Sequence, residues 1–493
     1  MTHAKLPFFL TGLLILFGNN PLAYGQKELL FHSIQDREIQ SWQAAQKIWD
    51  WAEPGYQEKR SSKLLKSMLE LAGFRIQSPI ANIPTAFIAE FGTERPIIAL
   101  LGEFDALPGL SQTAQPVRQV RSHTNYGHGC GHHLFGVASA SAAIAIAEQI
   151  KSGMIRGTIR FYGCPAEEGG AAKSFMVRDG YFKTCDAALH WHPSSRNSAG
   201  DRSSLARMAA KFRFHGKSAH AASAPEQGRS ALDAVELTNF AAQLMREHTP
   251  DFSRIHHVVT AGGEAPNVVP SFAEVYYYIR HPKSSVVRPL YNRLLLCAQA
   301  GSLATETKLE INFQGGVLEI LPNEVLSRIT LKNLIALNDL SYSKQENSFA
   351  KQLQQTLSSS PALTTIQQVS DESGATGKGS TDVGDVSWVV PTTGFTTACW
   401  VPGTPAHSWQ AVAAGGTSIG RKGMHLAAKV LAATAWDLFE NPELLSNAQF
   451  EHSNRLSLTP YQPLIRPDQA PPLDYRKPAS DQSASQPVST GEQ

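Results

Sequence analysis

Residues 96–108 read Pro96-Ile97-Ile98-Ala99-Leu100-Leu101-Gly102-Glu103-Phe104-Asp105-Ala106-Leu107-Pro108. Pro96 to Leu101 is a short continuous apolar run that ends in a polar turn, which reads as a strand buried on both faces. Outward from it, Gly157 to Tyr162 and Asp186 to His192 repeat the pattern. The Ala- and Ile-rich stretch Phe135 to Ile150 reads as a buried helix between them. Upstream, Ile39, Trp42, Ile48, Leu64, Leu65, Met68 and Leu71 recur at helical spacing, and Pro54-Gly55 divides that run into two helices. Strands alternating with helices predict an α/β fold, here a mixed-sheet α/β/α domain.

The middle of the chain changes character. Lys211 to His215 alternates apolar and basic residues as an edge strand would, and Val275 to Arg280 reads as a further strand. Ala231 to Arg246 and Val287 to Ala298 read as helices. This predicts an inserted α+β unit over 205–321, flanked by two halves of the sheet domain at 26–204 and 322–458. Residues 459–493 are rich in Pro, Ser and Gln and read as a tail, disordered from Lys477 onward. No internal repeat is present.

The N-terminus reads as an export signal over 1–25. Lys5 precedes an apolar stretch from Leu6 to Phe17, and Ala23-Tyr24-Gly25 supplies small residues for cleavage. The stretch is shorter than the roughly 20 residues that span hydrocarbon. The expected location is therefore periplasmic or secreted. The chain has 493 residues, 42% hydrophobic and 17% charged, which is globular composition with ample core material. A formal net charge of +2 and the lack of any basic stripe argue against an electrostatic grip on nucleic acid or membrane. Five cysteines, an odd number, make no disulfide framework.

Five segments carry candidate chemistry. Gly127-His128-Gly129-Cys130-Gly131-His132-His133 places thiolate and imidazole two residues apart among glycines, so the backbone can curl around an ion. Pro165-Ala166-Glu167-Glu168-Gly169-Gly170 follows a strand, and its adjacent carboxylates point apart: one can ligate while the other serves as a base. His190 and His192 share one strand face beside Pro193. Gly403 to Ser408 contains His407 in a loop, and Gly102 to Pro108 carries Asp105 at a strand end. Taken singly, most of these segments read as ordinary turns or core histidines. Gathered at strand C-termini, they suit the usual place of a site in an α/β sheet.

Together with Ala52 to Glu58 (AEPGYQE), Gly102 to Gln112 (GEFDALPGLSQ), Gly216 to Ala221 (GKSAHA), Ser380 to Trp388 (STDVGDVSW) and Ala406 to Gln410 (AHSWQ), these segments resemble the amidohydrolase branch of the aminoacylase/carboxypeptidase-G-type metallopeptidases. The resemblance runs in order over nearly the whole chain. It implies a catalytic domain holding two divalent ions (Zn, Mn or Co) and an inserted lid that also makes a dimer interface. It places metal ligands at Cys130, His132, Glu168 and His407. The remaining ligand is His192 or His190, with the Trp-His-Pro pattern favouring His192. Glu167 falls on the general base and Asp105 on a residue that orients a ligand. His133 stands where relatives more often carry Asp or Asn. His220 falls on a lid histidine that reaches a neighbouring subunit's site, and Asn267 and Arg280 on lid residues that hold substrate. The implied activity is hydrolysis of an N-acyl or N-aroyl amino acid, aminobenzoyl-glutamate-like, in a homodimer or a heteromer with a related subunit. The competing readings are a metal-dependent aminopeptidase or dipeptidase and a non-catalytic binding relative.

Overall fold

A computed structural model describes residues 21–476. Most of the leader expected over 1–25 and all of the disorder expected from Lys477 onward lie outside the described residues. Pro21 opens a helix, Pro21–Asp36.

The apolar runs form one mixed sheet. Its strands are β1 (Arg75–Gln77), β2 (Phe87–Gly92), β3 (Ile97–Glu103), β6 (Thr158–Cys164), β7 (Ala187–Ser194), β8 (Asn197–Ala199), β13 (Val369–Asp371) and β14 (Thr392–Ala398). A small ribbon of β4 (Leu107–Pro108) and β5 (Tyr126–Gly127) stands beside it. The strand order is β1-β2-β6-β3-β7-β14-β8-β13. The centre is parallel (β6, β3, β7 and β14), and β2 and β8 join it antiparallel. Residues 97–103 are therefore a central strand, which is why no polar side chain interrupts the run before its end. Helices Glu38–Trp51, His132–Lys151 and Ser418–Glu440 supply much of the main core. By length and composition His132–Lys151 is apolar enough to cross a membrane, but it is enclosed in this core.

A second sheet, in the order β10-β11-β9-β12, comprises β9 (Ala206–His215), β10 (Arg254–Ala261), β11 (Phe272–His281) and β12 (Lys308–Val317). Helices Ala231–Arg246 and Ser284–Ala304 pack on one face of it. Here one expectation is corrected: β9 is an interior strand, paired on both sides. Its alternation arises because Met208, Ala210, Phe212 and Phe214 face the helices, while Arg207, Lys211 and Arg213 face away.

The stretch after Leu458 does more than trail. Residues 459–476 cross both units, burying Leu464 in the core of the smaller one and Ile465 in a cluster beneath the large sheet. Arg288 donates to the carbonyl of Pro463, and Gln57 to that of Leu473.

Candidate metal centre

The C-terminal ends of β3, β6 and β7 converge on a cavity of about 730 Å³, within the size range of small-molecule sites. Each end delivers its residues for a local reason. β3 ends at Glu103, and Asp105 follows on the same side. Gly131 adopts φ 76 before helix His132–Lys151, and a Cβ there would lie 2.6 Å from Pro193. Only glycine permits that close turn, which presents Cys130 and His132 together. Beyond β6, the buried Glu58 carboxylate accepts from the Ala166 N–H at 2.8 Å and from the Thr85 hydroxyl at 3.0 Å. This pins the turn that carries Glu167 and Glu168.

Three groupings of donor atoms result: Cys130, His132 and His192; Cys130, Glu168 and His407; and Glu103, His132 and Glu167. Cys130 Sγ lies 3.3 Å from His192 Nε2, His407 Nε2 3.1 Å from Glu168 Oε1, and His132 Nε2 3.2 Å from Glu103 Oε2. The buried atoms Glu103 Oε2, His132 Nε2 and Glu168 Oε1 nevertheless lack an aligned hydrogen bond. Donor atoms that share a tetrahedral cation at 2.0–2.3 Å stand about 3–4 Å apart without pointing at one another. Close approach without alignment is thus what ligands of divalent metal ions show, and thiolate, imidazole and carboxylate are donors that such ions take. The residues fit such ions.

The surroundings agree. Asp105 Oδ1 lies 2.8 Å from His132 Nδ1, and its other oxygen accepts from the Glu168 N–H at 2.9 Å, so one carboxylate orients residues of both loops. His192 Nδ1 faces the Pro193 carbonyl at 2.7 Å. Burial alone would lower the His132 pKa, but Cys130, Asp105 and Glu103 hold it well above the usual value. The pocket therefore favours positive charge at that atom. Burial would raise Glu168, yet His407, His132 and Cys130 bring it down to about 2. Glu167 behaves oppositely: burial, reinforced by Glu103, Glu168 and Asp382, pushes its carboxyl well above the ordinary range. Two adjacent carboxyls with opposite shifts divide naturally into a permanent anion and a proton carrier.

His190 and His192 now separate. His192 stands beside Cys130. His190 belongs to none of the groupings found among the described residues; its ring lies over Gly394, where a Cβ would meet Nε2 at 2.1 Å. It lines the cavity, and burial, with His192 and Lys173 nearby, depresses its pKa to about 3, keeping it neutral. His133 points away, with Nε2 3.1 Å from the Gly415 carbonyl, so the orienting partner of His132 is Asp105.

The smaller unit brings Arg280 to the cavity wall, where Nη1 donates to Ser380 Oγ at 3.3 Å. His220 and Asn267 sit together elsewhere on that unit, exposed and absent from this chain's own cavity wall. The Ala221 N–H donates to the Asn267 carbonyl, and His220 Nδ1 accepts from the N–H groups of Ala222 and Ser223.

Sequence reasoning passed over several residues that the fold brings in. Lys173, wholly buried, donates to Glu103 and Asp382 at 2.6 Å each. Glu103 had a signal: it stands two residues before Asp105 at the same strand end. Asp382 lay inside the quoted segment Ser380 to Trp388 without a role assigned to it, and Lys173 had no signal, because nothing in the flanking sequence marks its charge as buried. Arg207 and Arg476 also line the cavity.

Comparison with known proteins identifies the architecture. Residues 205–293 match the model of a peptidase dimerisation domain. The chain is 41% identical over 447 residues to the B subunit of p-aminobenzoyl-glutamate hydrolase from Escherichia coli (strain K12), covering 85% of this chain and 92% of that one. It is 29% identical over 436 residues to the Xaa-Arg dipeptidase of Homo sapiens, covering 83% and 88%. Among solved structures, a dinuclear metal-binding peptidase of the M20 family from Bacillus subtilis superposes with a TM-score of 0.55 at 17% identity, over 82% of this chain and 99% of that one. The chain belongs to the amidohydrolase branch of the aminoacylase/carboxypeptidase-G-type metallopeptidases.

Proposed function

We propose that the protein hydrolyses the amide bond of N-acyl or N-aroyl amino acids, aminobenzoyl-glutamate-like in form, using two divalent ions in each protomer. The observation that carries this reading is the half-buried Glu167 carboxyl. It stands beside three groupings of metal-type donors and shares a cavity with the Arg280 guanidinium. A protein that only captured its ligand would have no use for such a proton carrier. The name of the E. coli relative supports the substrate class.

Cys130, His132, Glu168, His192 and His407 would hold the ions, with Glu103 at the third grouping. Bound divalent cations supply Lewis acidity and make water a nucleophile near neutral pH. Glu167 accepts the proton of the attacking water as its oxygen bonds to the amide carbonyl carbon. It returns that proton to the leaving nitrogen as the C–N bond breaks. Its raised pKa suits a group that must both take and give. Arg280 holds the substrate carboxylate in a bidentate fork. His220, remote from its own chain's cavity, would donate to the carbonyl oxygen in a partner protomer's site. The match to a dimerisation domain supports that arrangement, in a homodimer or with a related chain.

Export to the periplasm or beyond is likewise proposed, on Lys5, the Leu6 to Phe17 run and Ala23-Tyr24-Gly25. N-terminal sequencing of protein from a membrane-free fraction tests it, and an intact Met1 would refute it.

The test of function is a screen of metal-replete protein against aminobenzoyl-glutamate, other N-acyl amino acids and dipeptides, reading amine release. Release from the acylated amino acids is expected. Activity confined to dipeptides would replace the reading with a dipeptidase.

A further inference from the structure

The cavity wall contributed by the smaller unit is strongly cationic. Arg207 on β9 and Arg280 on β11 are direct cross-strand partners in the antiparallel register. Their Cβ atoms are therefore about 5 Å apart on one face, where like charges repel. Tyr278 lies between them: the Arg207 guanidinium is 4.8 Å from its ring centre and that of Arg280 5.5 Å. A third guanidinium comes from the segment after Leu458. Arg476 donates to the Glu168 carbonyl at 2.6 Å, and its neighbour Tyr475 donates to the same oxygen at 3.2 Å. The Tyr475 ring packs edge-on against Tyr56. This anchors the segment at the mouth of the metal centre.

These arginines differ from two others that line the same cavity. Arg196 and Arg202 both pair with Glu372. Among the described residues, Arg207, Arg280 and Arg476 have no carboxylate within ion-pair distance, and the Nε of each is buried without a hydrogen-bond partner. Arg207 is 6% exposed, and its guanidinium donates no hydrogen bond to any described residue. Burial would raise the Tyr278 hydroxyl pKa, yet Arg207, Tyr276, Arg476 and Arg280 together draw it below its usual value. Three guanidiniums without an ion-pair partner around one half-buried phenol are costly unless an anion joins them.

We propose that Arg207 and Arg476 form, beside Arg280, a second carboxylate subsite, so that the enzyme selects substrates whose released amino acid is dicarboxylic. Arg280, held at the cavity wall by its bond to Ser380, takes the α-carboxylate; Arg207 and Arg476 take that of the side chain. The segment that delivers Arg476 thereby determines specificity. The proposal rests on the hydrolase reading above and adds the residues that recognise the side chain of the released amino acid.

The experiment compares aminobenzoyl-glutamate with its neutral isostere aminobenzoyl-glutamine, on full-length metal-replete wild type and on Arg207→Gln, Arg476→Gln and the double variant. Calorimetric binding of L-glutamate and L-glutamine to the same proteins runs alongside, and thermal unfolding checks that each variant is folded. The wild type should prefer glutamate in both kcat/KM and affinity. Each single variant should cut that preference about 10- to 100-fold, the loss expected for one charge-assisted contact. The effect should fall mainly on KM, and Arg476→Lys should restore part of it. Equal handling of both conjugates by the wild type would overturn the subsite while leaving the hydrolase reading intact. Variant losses equal on both substrates would do the same. Failure to cleave any acylated amino acid would instead remove the hydrolase reading, and glutamate binding would then decide the subsite alone.

Discussion

Replacing Lys173 by Met tests whether its buried charge holds the metal centre together. The methionine side chain nearly matches the lysine stem in volume, so the perturbation is the lost ammonium. Lys173 Nζ lies 2.6 Å from Glu103 Oε1 and 2.6 Å from Asp382 Oδ1, and none of the three side chains is more than 2% exposed. Burial would lower the lysine pKa, but Asp382 and Glu103 hold it well above the ordinary value. Removing one partner of a buried pair costs about 3–5 kcal/mol, because the abandoned charge stays out of water. Two carboxylates are abandoned here. Asp382 keeps the Lys173 backbone N–H, at 2.9 Å from its other oxygen, and Glu103 keeps its approach to His132. The expected loss is therefore about 3–5 kcal/mol rather than twice that, a large part of the roughly 5–15 kcal/mol by which proteins are stable. The sign with pH is fixed. Burial already raises the Asp382 pKa, and losing Lys173 raises it further. The folded variant then takes up protons that the unfolded chain does not, so acid relieves the defect. Urea unfolding of wild type and variant at pH 8 and pH 5 should show a gap that narrows at pH 5. Turnover should also fall as Glu103 loses its support beneath His132. A gap below about 1 kcal/mol, or one independent of pH, would refute a charged Lys173 bridging two ionised carboxylates.

Three further outcomes follow from the same geometry. Glu167→Gln should abolish amide hydrolysis yet leave metal content by elemental analysis unchanged; wild-type turnover would remove Glu167 as the proton carrier. His220→Ala should lower kcat by about 10²–10³-fold, as loss of an oxyanion donor does, and mixing it with Glu167→Gln protein should restore part of the activity if sites are shared between protomers. Asp385, buried between Ser174 and the Leu318 N–H, has a pKa raised to about 7, chiefly by burial. Its ionisation costs stability as pH climbs from about 4 through 7, so Asp385→Asn should gain in Tm relative to wild type between pH 5 and pH 8, and a difference that shrinks with pH would contradict this.

Much of this architecture was legible because the relevant signals are local. The run 96–101 could only be a strand covered on both faces, and the period-two spacing of His190 and His192 put both on one side of β7. Which histidine meets Cys130 was legible only as a leaning to His192 from the Trp-His-Pro pattern. It depends on Gly394, two hundred residues later, leaving room for the His190 ring. β9 misled because alternation reports one polar face, and an interior strand of a sheet covered on one side shows it as well as an edge strand does. Lys173 and Arg476 were illegible for a deeper reason. A lysine in a helix and an arginine in a Pro-rich tail have solvent as their default, and only long-range packing against Asp382 or Glu168 removes it.

The position of β14 has a consequence for the integrity of the chain. It is wedged between β7 and β8, pairing Thr392 to Ala398 with Ala188 to Ser194 on one side and Phe395 and Thr396 with Ala199 and Ser198 on the other. Its two neighbours are consecutive in sequence, yet β14 arrives only after the whole smaller unit has been threaded out and back. A nick in the exposed turn at 262–267 would therefore not set two halves free. Each fragment would carry strands that the other needs, and the clipped molecule would stay knitted through its own middle.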